Sequence, residues 1–547
     1  MRLYHWTNLY FLRSFIIVIL SAVILGCTAP RATQEMVTVN IFADNTDTQI
    51  NITSGSSVLE ALEKANISMG ELDRVEPPLF TVLSDGVKIN VIRVSEEYYI
   101  EQEVIPFEHQ ELRNEALPEG ERRISQSGVN GLREVTYHRV FENGIEVSNN
   151  IIRTDILEPA LPEVVMFGSR ASFASIDLPG KLTYLSAGNA WMMTESTGNR
   201  NLMVSTGDLD GRIFSLSPDG KFLLFTRNTE EDGTINSLWI ANLEADPVKL
   251  IDLGIKNIVH YAEFNSESNK VAYSTVEWRE SAPGWQANND LLIVEISAEG
   301  DVGEPQIVIE PNSGGVYGWW GTVYSWSPDD DRFLFSRPDG LGIFDLAEES
   351  ITILKNMIPY QTGGNWAWIP GASWSPDGKV IYSVDHQKGG LSENGDEGSN
   401  QFDLIAIPLS GGETVYLDTD VGMFAFPEAS PITGKTNFIT TPDSVSISQA
   451  AFSLAYLQAV FPDQSATSGY MAVSMDRDGS NKKVIFPDEG AVGFEPQQLI
   501  WSPELMNSEG AYAIALIYNG NIWLVDTVSE EGLQITGDGL TSKIDWR

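Results

Sequence analysis

The chain has 547 residues, 42% of them hydrophobic, which is too long for one ordinary core and too apolar for a wholly disordered protein. Its 76 acidic and 34 basic residues give a formal net charge of -42, which argues against a nucleic-acid partner because phosphate binding requires cations. The single cysteine excludes an internal disulfide and a cysteine-based zinc cluster, and the five histidines lack ligand spacing. We therefore expect neither a metal site nor a cofactor.

The N-terminus reads as a secretion signal. Arg2 and Arg13 precede the apolar stretch "SFIIVILSAVILGC", which is too short for a confident membrane span. Its end, "ILGC", resembles the bacterial lipobox, and this resemblance implies removal of a signal peptide at 1–26 and lipid attachment to Cys27. The protein would then be held outside the cytoplasm on the bacterial membrane, with residues 27–36 as a tether. The alternative is an uncleaved signal anchor.

Residues 37–94 alternate in polarity in two stretches, continue through a serine-rich cap and a helical stretch, and end in a strand pair. Within "SSVLEALEKANI", Val58, Leu59, Leu62 and Ala65 share one helical face. This order predicts a small β-grasp domain. The segment resembles the ubiquitin-like domain of bacterial cell-wall proteins, resuscitation-promoting factors above all.

Residues 95–168 contain, in order, "EVIPFE", "LPEGERRISQSGVNG", "TYHRVFENGIEVS" and "VVMFG". The tripeptide "ENG" predicts a tight hairpin, because glycine readily supplies a positive φ. The segment resembles the G-five domain, an extended β domain whose glycines correspond here to Gly120, Gly128, Gly131, Gly144 and Gly168. The resemblance implies a wall module that binds glycan containing N-acetylglucosamine. The alternative is a rigid spacer.

After a linker at 169–179, one hairpin motif recurs, as in "RIFSLSPDGKFLLFTR" and "GASWSPDGKVIYSV". The residue before Ser-Pro, or its equivalent, is here called the anchor, and the anchors are Leu216, Phe264, Trp326, Trp374, Ala429, Trp501 and Trp546. Their spacing suits four-stranded blades with insertions. Residues 180–547 resemble the TolB-like β-propeller. We expect the terminal "SKIDWR" to pair with three strands in 180–205 and close a ring of seven blades, or six if the segment near 425–490 is no blade.

The long insertions fall between second and third strands or between blades, which places them on one face of the ring, here called the insertion face. They carry six tryptophans: Trp278, Trp285, Trp319, Trp320, Trp366 and Trp368. Loop aromatics favour binding of a protein, peptide or glycan, whereas the alternative is that they cap blades and fill the channel mouth. In one insertion, Ile447, Ala451, Leu454 and Leu457 have the spacing of a helix.

The sequence contains no nucleophile elbow, H-E-x-x-H motif or phosphate loop. We therefore predict an all-β-dominated envelope scaffold without enzymatic activity. It would bind wall glycan through the G-five segment and an envelope protein or peptide through the propeller. The alternative is an extracytoplasmic glycan hydrolase or lyase that uses carboxylates in the propeller pore.

Overall fold

The chain is built almost entirely of β-strands. The computed structural model describes residues 35–114, 117–161, 163–168, 173–362, 364–388, 398–440, 445–488, 490–506 and 510–547. The chain divides into two compact units, one formed by residues up to Phe107 with Val129–Leu161 and the other by Glu108–Gly128 with Pro162–Arg547. No helix within the described residues is long and apolar enough to cross a bilayer. The signal segment and Cys27 lie outside the described residues.

A helix packs on a small sheet at the start of the first unit. The strands are β1 (Met36–Ala43), β2 (Thr46–Thr53), β3 (Arg74–Glu76) and β4 (Lys88–Ile92), in the order β2-β1-β4-β3 with β1 parallel to β4. Helix α1 (Val58–Lys64) begins after Ser57, whose hydroxyl accepts the Glu60 N–H while the Glu60 carboxylate accepts the Ser57 N–H. Val58, Ala61 and Leu62 are buried in the core of this sheet. The helix is confirmed.

The first unit continues into a long, single-layer sheet. Its strands are β5 (Val94–Ile105), β8 (Gly131–Glu142) and β9 (Ile145–Glu158), in the order β5-β8-β9. The hairpin that joins β8 to β9 turns at Asn143 and Gly144, with φ of 51° and 78°, as "ENG" predicts. Apolar side chains on this sheet, such as Ile100, Val104 and Ile156, are mostly exposed. Since little core lies beneath it, the sheet depends on cross-strand side-chain pairs.

Arg93 joins the two sheets of this unit. Its guanidinium donates to Asp44 at 2.7 Å and to Asp73 at 2.6 Å, and these bonds hold its pKa above the ordinary value. Its backbone exchanges two hydrogen bonds with Asn143 at the tip of the β8–β9 hairpin, at 2.9 and 2.8 Å. The tip of the long sheet is therefore fixed to the end of the first sheet.

The second unit begins with a small sheet from the G-five segment. Its strands are β6 (His109–Asn114), β7 (Arg122–Gln126) and β10 (Glu163–Gly168), in the order β6-β10-β7. Met166 packs in one hydrophobic cluster with Leu182, Trp191 and Trp546 of the propeller. By contact, this part of the G-five segment thus groups with the propeller, whereas the long sheet groups with the first unit.

The propeller consists of radially arranged antiparallel sheets. Six of these sheets have four strands each. The first two consist of β13 (Leu209–Leu216), β14 (Phe222–Asn228), β15 (Asn236–Asn242) and β16 (Lys249–Lys256), and of β17 (Ala262–Phe264), β18 (Lys270–Tyr273), β21 (Leu291–Glu295) and β22 (Gln306–Ile309). The next two consist of β23 (Val323–Trp326), β24 (Arg332–Arg337), β25 (Gly340–Asp345) and β26 (Ser350–Asn356), and of β27 (Ala372–Trp374), β28 (Val380–Lys388), β29 (Gly398–Pro408) and β30 (Val415–Asp418). The last two consist of β31 (Glu428–Ala429), β34 (Ser453–Ala459), β35 (Tyr470–Asp476) and β36 (Lys483–Phe486), and of β37 (Ile500–Trp501), β38 (Ala513–Tyr518), β39 (Asn521–Asp526) and β40 (Gly532–Gln534). Another sheet has the order β12-β11-β41, from β11 (Asp177–Ser186), β12 (Asn189–Val204) and β41 (Thr541–Trp546).

Strand β41 closes the ring, as predicted, by pairing antiparallel with β11 so that Trp546 faces Leu182. The segment 180–205 holds two long strands where the sequence predicts three, because β12 runs unbroken for 16 residues. The sheets favour seven blades over six, although the blade count stays a prediction.

Two insertions form hairpins, and short 3-10 helices occur at Gly318–Trp320 and Pro462–Gln464. The hairpins are β19 (Val276–Trp278) with β20 (Trp285–Ala287), and β32 (Gly434–Thr440) with β33 (Val445–Ala451). The helix predicted from Ile447, Ala451, Leu454 and Leu457 is wrong, because these residues belong to β33 and β34. Strand β34 lies inside a blade and is buried on both faces, so its apolar residues do not alternate and mimic helical spacing by chance.

The tryptophan anchors bind neighbouring blades together. The indole N–H of Trp374 donates to the Ser325 carbonyl of the preceding blade at 3.4 Å. Trp326 donates in the same way to Glu263, and Trp501 to Glu428, at 3.4 and 3.1 Å. Each acceptor directly precedes an anchor. The repeated motif therefore encodes both a turn within a blade and a bond to the blade before it.

Candidate functional site

A cavity of about 710 Å³ occupies the centre of the propeller. It is lined by the innermost strand of every blade, through Ser215, Ala262, Ser325, Ala372, Glu428, Ile500 and Lys543 among others. Each innermost strand runs from the insertion face toward the face that carries the Ser-Pro turns, since the turn follows the anchor directly. The cavity thus joins residues that are far apart in sequence.

Two cations line the end of the cavity nearer the insertion face. Arg212 and Lys543 come from neighbouring inner strands, and a Cβ at Gly211 would lie 3.6 Å from Lys543 Cγ. The nearest carboxylate of Arg212 is that of Asp210, at 3.7 Å from its Nε. Among the described residues, Lys543 Nζ has no ion-pair or hydrogen-bond partner, and burial lowers its pKa.

An aromatic wall faces the same cavity. Trp366 lies 6.1 Å from Phe424, and Phe424 lies 6.0 Å from Phe426, measured between ring centroids. A Cβ at Gly371 would meet the Phe426 ring at 2.7 Å, so glycine at this position makes room for the ring. The cavity therefore combines cations with an apolar surface, as ligand sites in proteins commonly do.

Carboxylates lie deeper along the channel. Glu263 accepts hydrogen bonds from Trp326 N–H at 3.3 Å and Tyr261 OH at 3.2 Å, and Glu428 accepts one from Gln498 at 2.7 Å. Burial raises the pKa of each glutamate to about 7. The charges of Asp545, Glu263 and Glu428 in turn raise the pKa of Arg547, whose Nε lies 3.7 Å from Asp545. This end of the channel is thus a mixed-charge cluster.

Four of the six predicted tryptophans form a second cluster on the insertion hairpin β19–β20 and the 3-10 helix near it. Trp278 faces Trp285 across the hairpin, and the Trp285 ring makes an edge contact with Trp320 at 5.8 Å. Arg279 lies 5.9 Å from the Trp319 ring. Trp278 and Trp319 are exposed, whereas the other two are only partly exposed. These contacts fit both a recognition surface and a blade cap.

Trp368 does not belong to any exposed surface. Its side chain is 1% exposed and packs among Phe402, Tyr382 and Tyr456, and its indole N–H donates to the Met423 carbonyl at 2.8 Å. The sequence places it in a long connection, and loop position alone does not distinguish an exposed ring from a buried one. Of the six predicted tryptophans, Trp278, Trp319 and Trp366 are exposed, and Trp285 and Trp320 are partly exposed.

His260, Arg212, Lys543 and Phe424 were not identified by sequence reasoning. Burial lowers the pKa of His260 to about 4, its ring packs edge-on to Trp285 at 4.6 Å, and its Nε2 has no hydrogen-bond partner among the described atoms. The sequence does contain one feature that could have identified Arg212 and Lys543. Both stand within two to four residues before an anchor, on strands already predicted to be innermost.

The long sheet of the first unit has different chemistry on its two faces. On one face, the Tyr98 ring stacks on His138 at 4.8 Å, and the Glu96 carboxylate lies 3.2 Å from Tyr98 OH and 3.1 Å from His138 Nε2. Tyr98 is 62% exposed, so much of its ring meets solvent. On the opposite face, Tyr99 stacks on Tyr137 at 4.8 Å.

The ring faces of Tyr99 are largely covered. The ring stacks on Tyr137, and the Arg139 guanidinium carbon also lies 4.0 Å from the Tyr99 ring centroid. Tyr137 OH donates to Glu103 at 2.8 Å, and this bond raises the tyrosine pKa. This ladder of cross-strand pairs stabilises the sheet. Of the aromatic rings on this sheet, Tyr98 is the more accessible for stacking.

Four of the five predicted G-five glycines occupy structurally demanding positions. Gly120 and Gly144 have positive φ, at 82° and 78°. At Gly131 a Cβ would overlap the backbone of Glu158, and at Gly168 it would overlap the Pro118 carbonyl. Gly128 lies in the segment that follows β7. The first four of these glycines therefore serve the fold, and their geometry does not point to a ligand.

Fold and cavity define the class: an all-β protein that joins a long-sheet module to a β-propeller. Residues 96–170 match the family model for the G5 domain. The resuscitation-promoting factor Rpf2 of Corynebacterium glutamicum is 27% identical over 146 residues, which cover 27% of this chain and 38% of that protein. The chain thus spans less than half the length of this curated relative.

Solved structures include similar propellers. One described as TolB from Agrobacterium tumefaciens is 16% identical, with a TM-score of 0.31, over 60% of this chain and 93% of the other. The β-propeller domain of the Trilobed protease from Pyrococcus furiosus is 13% identical, with a TM-score of 0.38, over 68% of this chain and 98% of the other.

Proposed function

We propose that this protein is a scaffold of the bacterial cell envelope that binds wall glycan through its G5 domain and a protein or peptide through its propeller. A lipid on Cys27 would hold it to the membrane, and the small sheet with helix α1 would be a β-grasp domain. The match to the G5 model and the likeness to a resuscitation-promoting factor support the envelope setting.

Glycan binding is carried by one observation, the Tyr98 ring on the open face of the long sheet. Sugar rings present C–H groups that pack on an aromatic face, while their hydroxyls need hydrogen-bonding groups beside it. Tyr98 supplies such a face, and Glu96 and His138 supply polar groups within about one hydrogen-bond length of it. Tyr98 and His138 also stabilise the sheet as a cross-strand pair, so the feature that favours binding over a spacer is the 62% exposure of the Tyr98 ring.

The test is sedimentation of the full-length protein with insoluble chitin, a polymer of N-acetylglucosamine. We expect Tyr98→Ala to weaken binding roughly tenfold, as loss of a stacking contact of about 1 to 1.5 kcal/mol would do. Phe80→Ala is the matched control, because Phe80 is an aromatic residue outside the G5 domain whose side chain is 82% exposed. A wild-type protein that stays in the supernatant would favour the spacer.

The glycan hydrolase or lyase alternative retains one supporting observation. Glu263 and Glu428 have pKa values raised to about 7 by burial, which is a property of general acids in glycosidases. Both carboxyls already accept hydrogen bonds from the propeller itself, from Trp326 and Gln498 respectively. We therefore propose binding without catalysis as the function.

A further inference from the structure

The central cavity differs in charge from the protein around it. The chain carries a formal charge of -42, yet the charged residues that line the cavity are Arg212, Lys543 and Glu428. Glu428 accepts a hydrogen bond from Gln498. It also interacts electrostatically with Arg547, deeper in the channel. At the insertion-face end, two cations therefore dominate.

The one carboxylate close to these cations is already occupied. Asp210 accepts hydrogen bonds from Asn236 at 2.8 Å and from the Thr226 hydroxyl, and it is nearly buried. Its separation from Arg212 Nε, 3.7 Å, is too long for a good hydrogen bond. Arg212 and Lys543 thus have one carboxylate between them, that of Asp210, which is already hydrogen-bonded to Asn236 and Thr226. One positive charge therefore remains uncompensated at the edge of the cavity.

The remaining surface limits the ligand further. Trp366, Phe424 and Phe426 form an apolar wall, and the volume of about 710 Å³ is much larger than a simple inorganic anion requires. Cations beside an aromatic wall match a ligand whose anionic group is joined to an apolar part. Guanidinium and ammonium groups together suit a carboxylate, which accepts from both.

We propose that this cavity binds a carboxylate attached to an apolar or aromatic group. Arg212 and Lys543 hold the carboxylate, and the apolar part packs on Trp366 and Phe424. The inference rests on the proposed role of the propeller as a binding domain, and it is independent of glycan binding by the G5 domain. Two sources supply this chemistry, namely the C-terminal residue of a peptide and a free small carboxylic acid.

The experiment is calorimetric titration of the full-length protein with three probes. They are N-acetyl-Ala-Ala-Phe with a free carboxylate, the same peptide with a C-terminal amide, and 3-phenylpropionate. We expect the peptide acid or phenylpropionate to bind at least tenfold more tightly than the amide. Tighter binding of the peptide acid identifies a peptide end as the source, and tighter binding of phenylpropionate identifies a small acid.

Lys543→Gln and Arg212→Gln should each remove most of the preference for the acid, about tenfold, while Lys249→Gln, on an exposed outer strand, should leave it unchanged. Melting curves check that the Lys543 variant is folded, since Lys543 lies on the closing strand. Equal affinity for acid and amide, or no binding of any probe, would overturn the inference. Chitin sedimentation is measured separately, so failure here leaves the glycan proposal intact.

Discussion

Buried polar side chains after the anchors stabilise the inner turns of the propeller. In the repeat at Gly371–Val384, the Ser375 hydroxyl donates to Asp377 at 2.7 Å and accepts from Lys379 N–H at 3.1 Å and Val380 N–H at 2.9 Å. Ser217 makes the same bonds in another blade, and Asn265 replaces serine in a degenerate copy by accepting from Asn269 and Lys270. The serine therefore acts as a cap for the next strand.

Ser375→Ala should destabilise the propeller by about 1 to 3 kcal/mol, because the part-buried Val380 N–H loses this acceptor and the Lys379 N–H keeps only the longer bond to Asp377. The measurement is the free energy of unfolding from urea titration. Ser281→Ala is the control, since Ser281 is exposed and its hydroxyl makes no hydrogen bond to the described residues. Equal stability of the two variants would contradict the capping role.

The channel glutamates make stability depend on pH. Burial raises the pKa of Glu263 and of Glu428 from 4.5 to about 7, so the folded protein holds these protons more tightly than the unfolded chain. Their stabilising contribution is complete below the unfolded pKa and is lost as the pH rises through about 7. Both glutamates are only partly buried by accessibility, and solvent screening therefore reduces the effect, which we set at about 1 kcal/mol per carboxyl.

The double variant Glu263→Gln, Glu428→Gln should therefore lose less unfolding free energy than wild type between about pH 5 and pH 8. Glutamine keeps the side-chain size but does not titrate. The exposed pair Glu299→Gln, Glu304→Gln serves as control. A pH dependence that is the same in all three proteins would show that these two carboxyls are not protonated in the folded channel near neutrality.

At the scale of elements, tryptophan anchors carry the contact between blades. Trp374 packs with Leu334 and Leu341 of the preceding blade and with Ile381 of its own, and its N–H bonds to the Ser325 carbonyl. Trp374→Phe keeps much of the apolar contact but removes the donor, so we expect a loss of about 1 to 2 kcal/mol.

Trp278→Phe is the matched control for that loss, because Trp278 is 45% exposed on an insertion hairpin. Thermal unfolding of both variants and wild type supplies the comparison. If Trp278→Phe destabilised the protein as much as Trp374→Phe, the tryptophans of the insertions would be blade caps, and their proposed role in binding would lose its support.

Blades and turns were predictable because their determinants are local. Each Ser-Pro turn fixes the corner between two strands, and the hydrophobic run after it marks a buried strand. The terminal strand was predictable because "SKIDWR" has an anchor without a following blade. Local spacing failed at 445–459, where two strands lie in place of the helix and β34 is buried on both faces. It also could not separate buried Trp368 from exposed Trp366.

The cavity could not be predicted, because its chemistry arises only when the ring closes. Arg212 and Lys543 stand near opposite ends of the propeller sequence and meet through the pairing of β41 with β11. Likewise, Glu263 and Glu428 are ordinary residues in a chain with 76 acidic side chains until they reach one channel. The sequence pattern therefore predicts the blades and turns, whereas the composition of the cavity depends on long-range topology.

At the scale of the whole molecule, the central claim is that the protein binds wall glycan without cleaving it. The most direct test incubates full-length protein with labelled, insoluble peptidoglycan and measures sedimented protein and soluble label in the same tube. We expect the protein to sediment, Tyr98→Ala to remain largely in solution, and the soluble label to stay at the level of a protein-free control. Release of label by wild type that is abolished in Glu263→Gln or Glu428→Gln would contradict this account and establish the enzyme alternative.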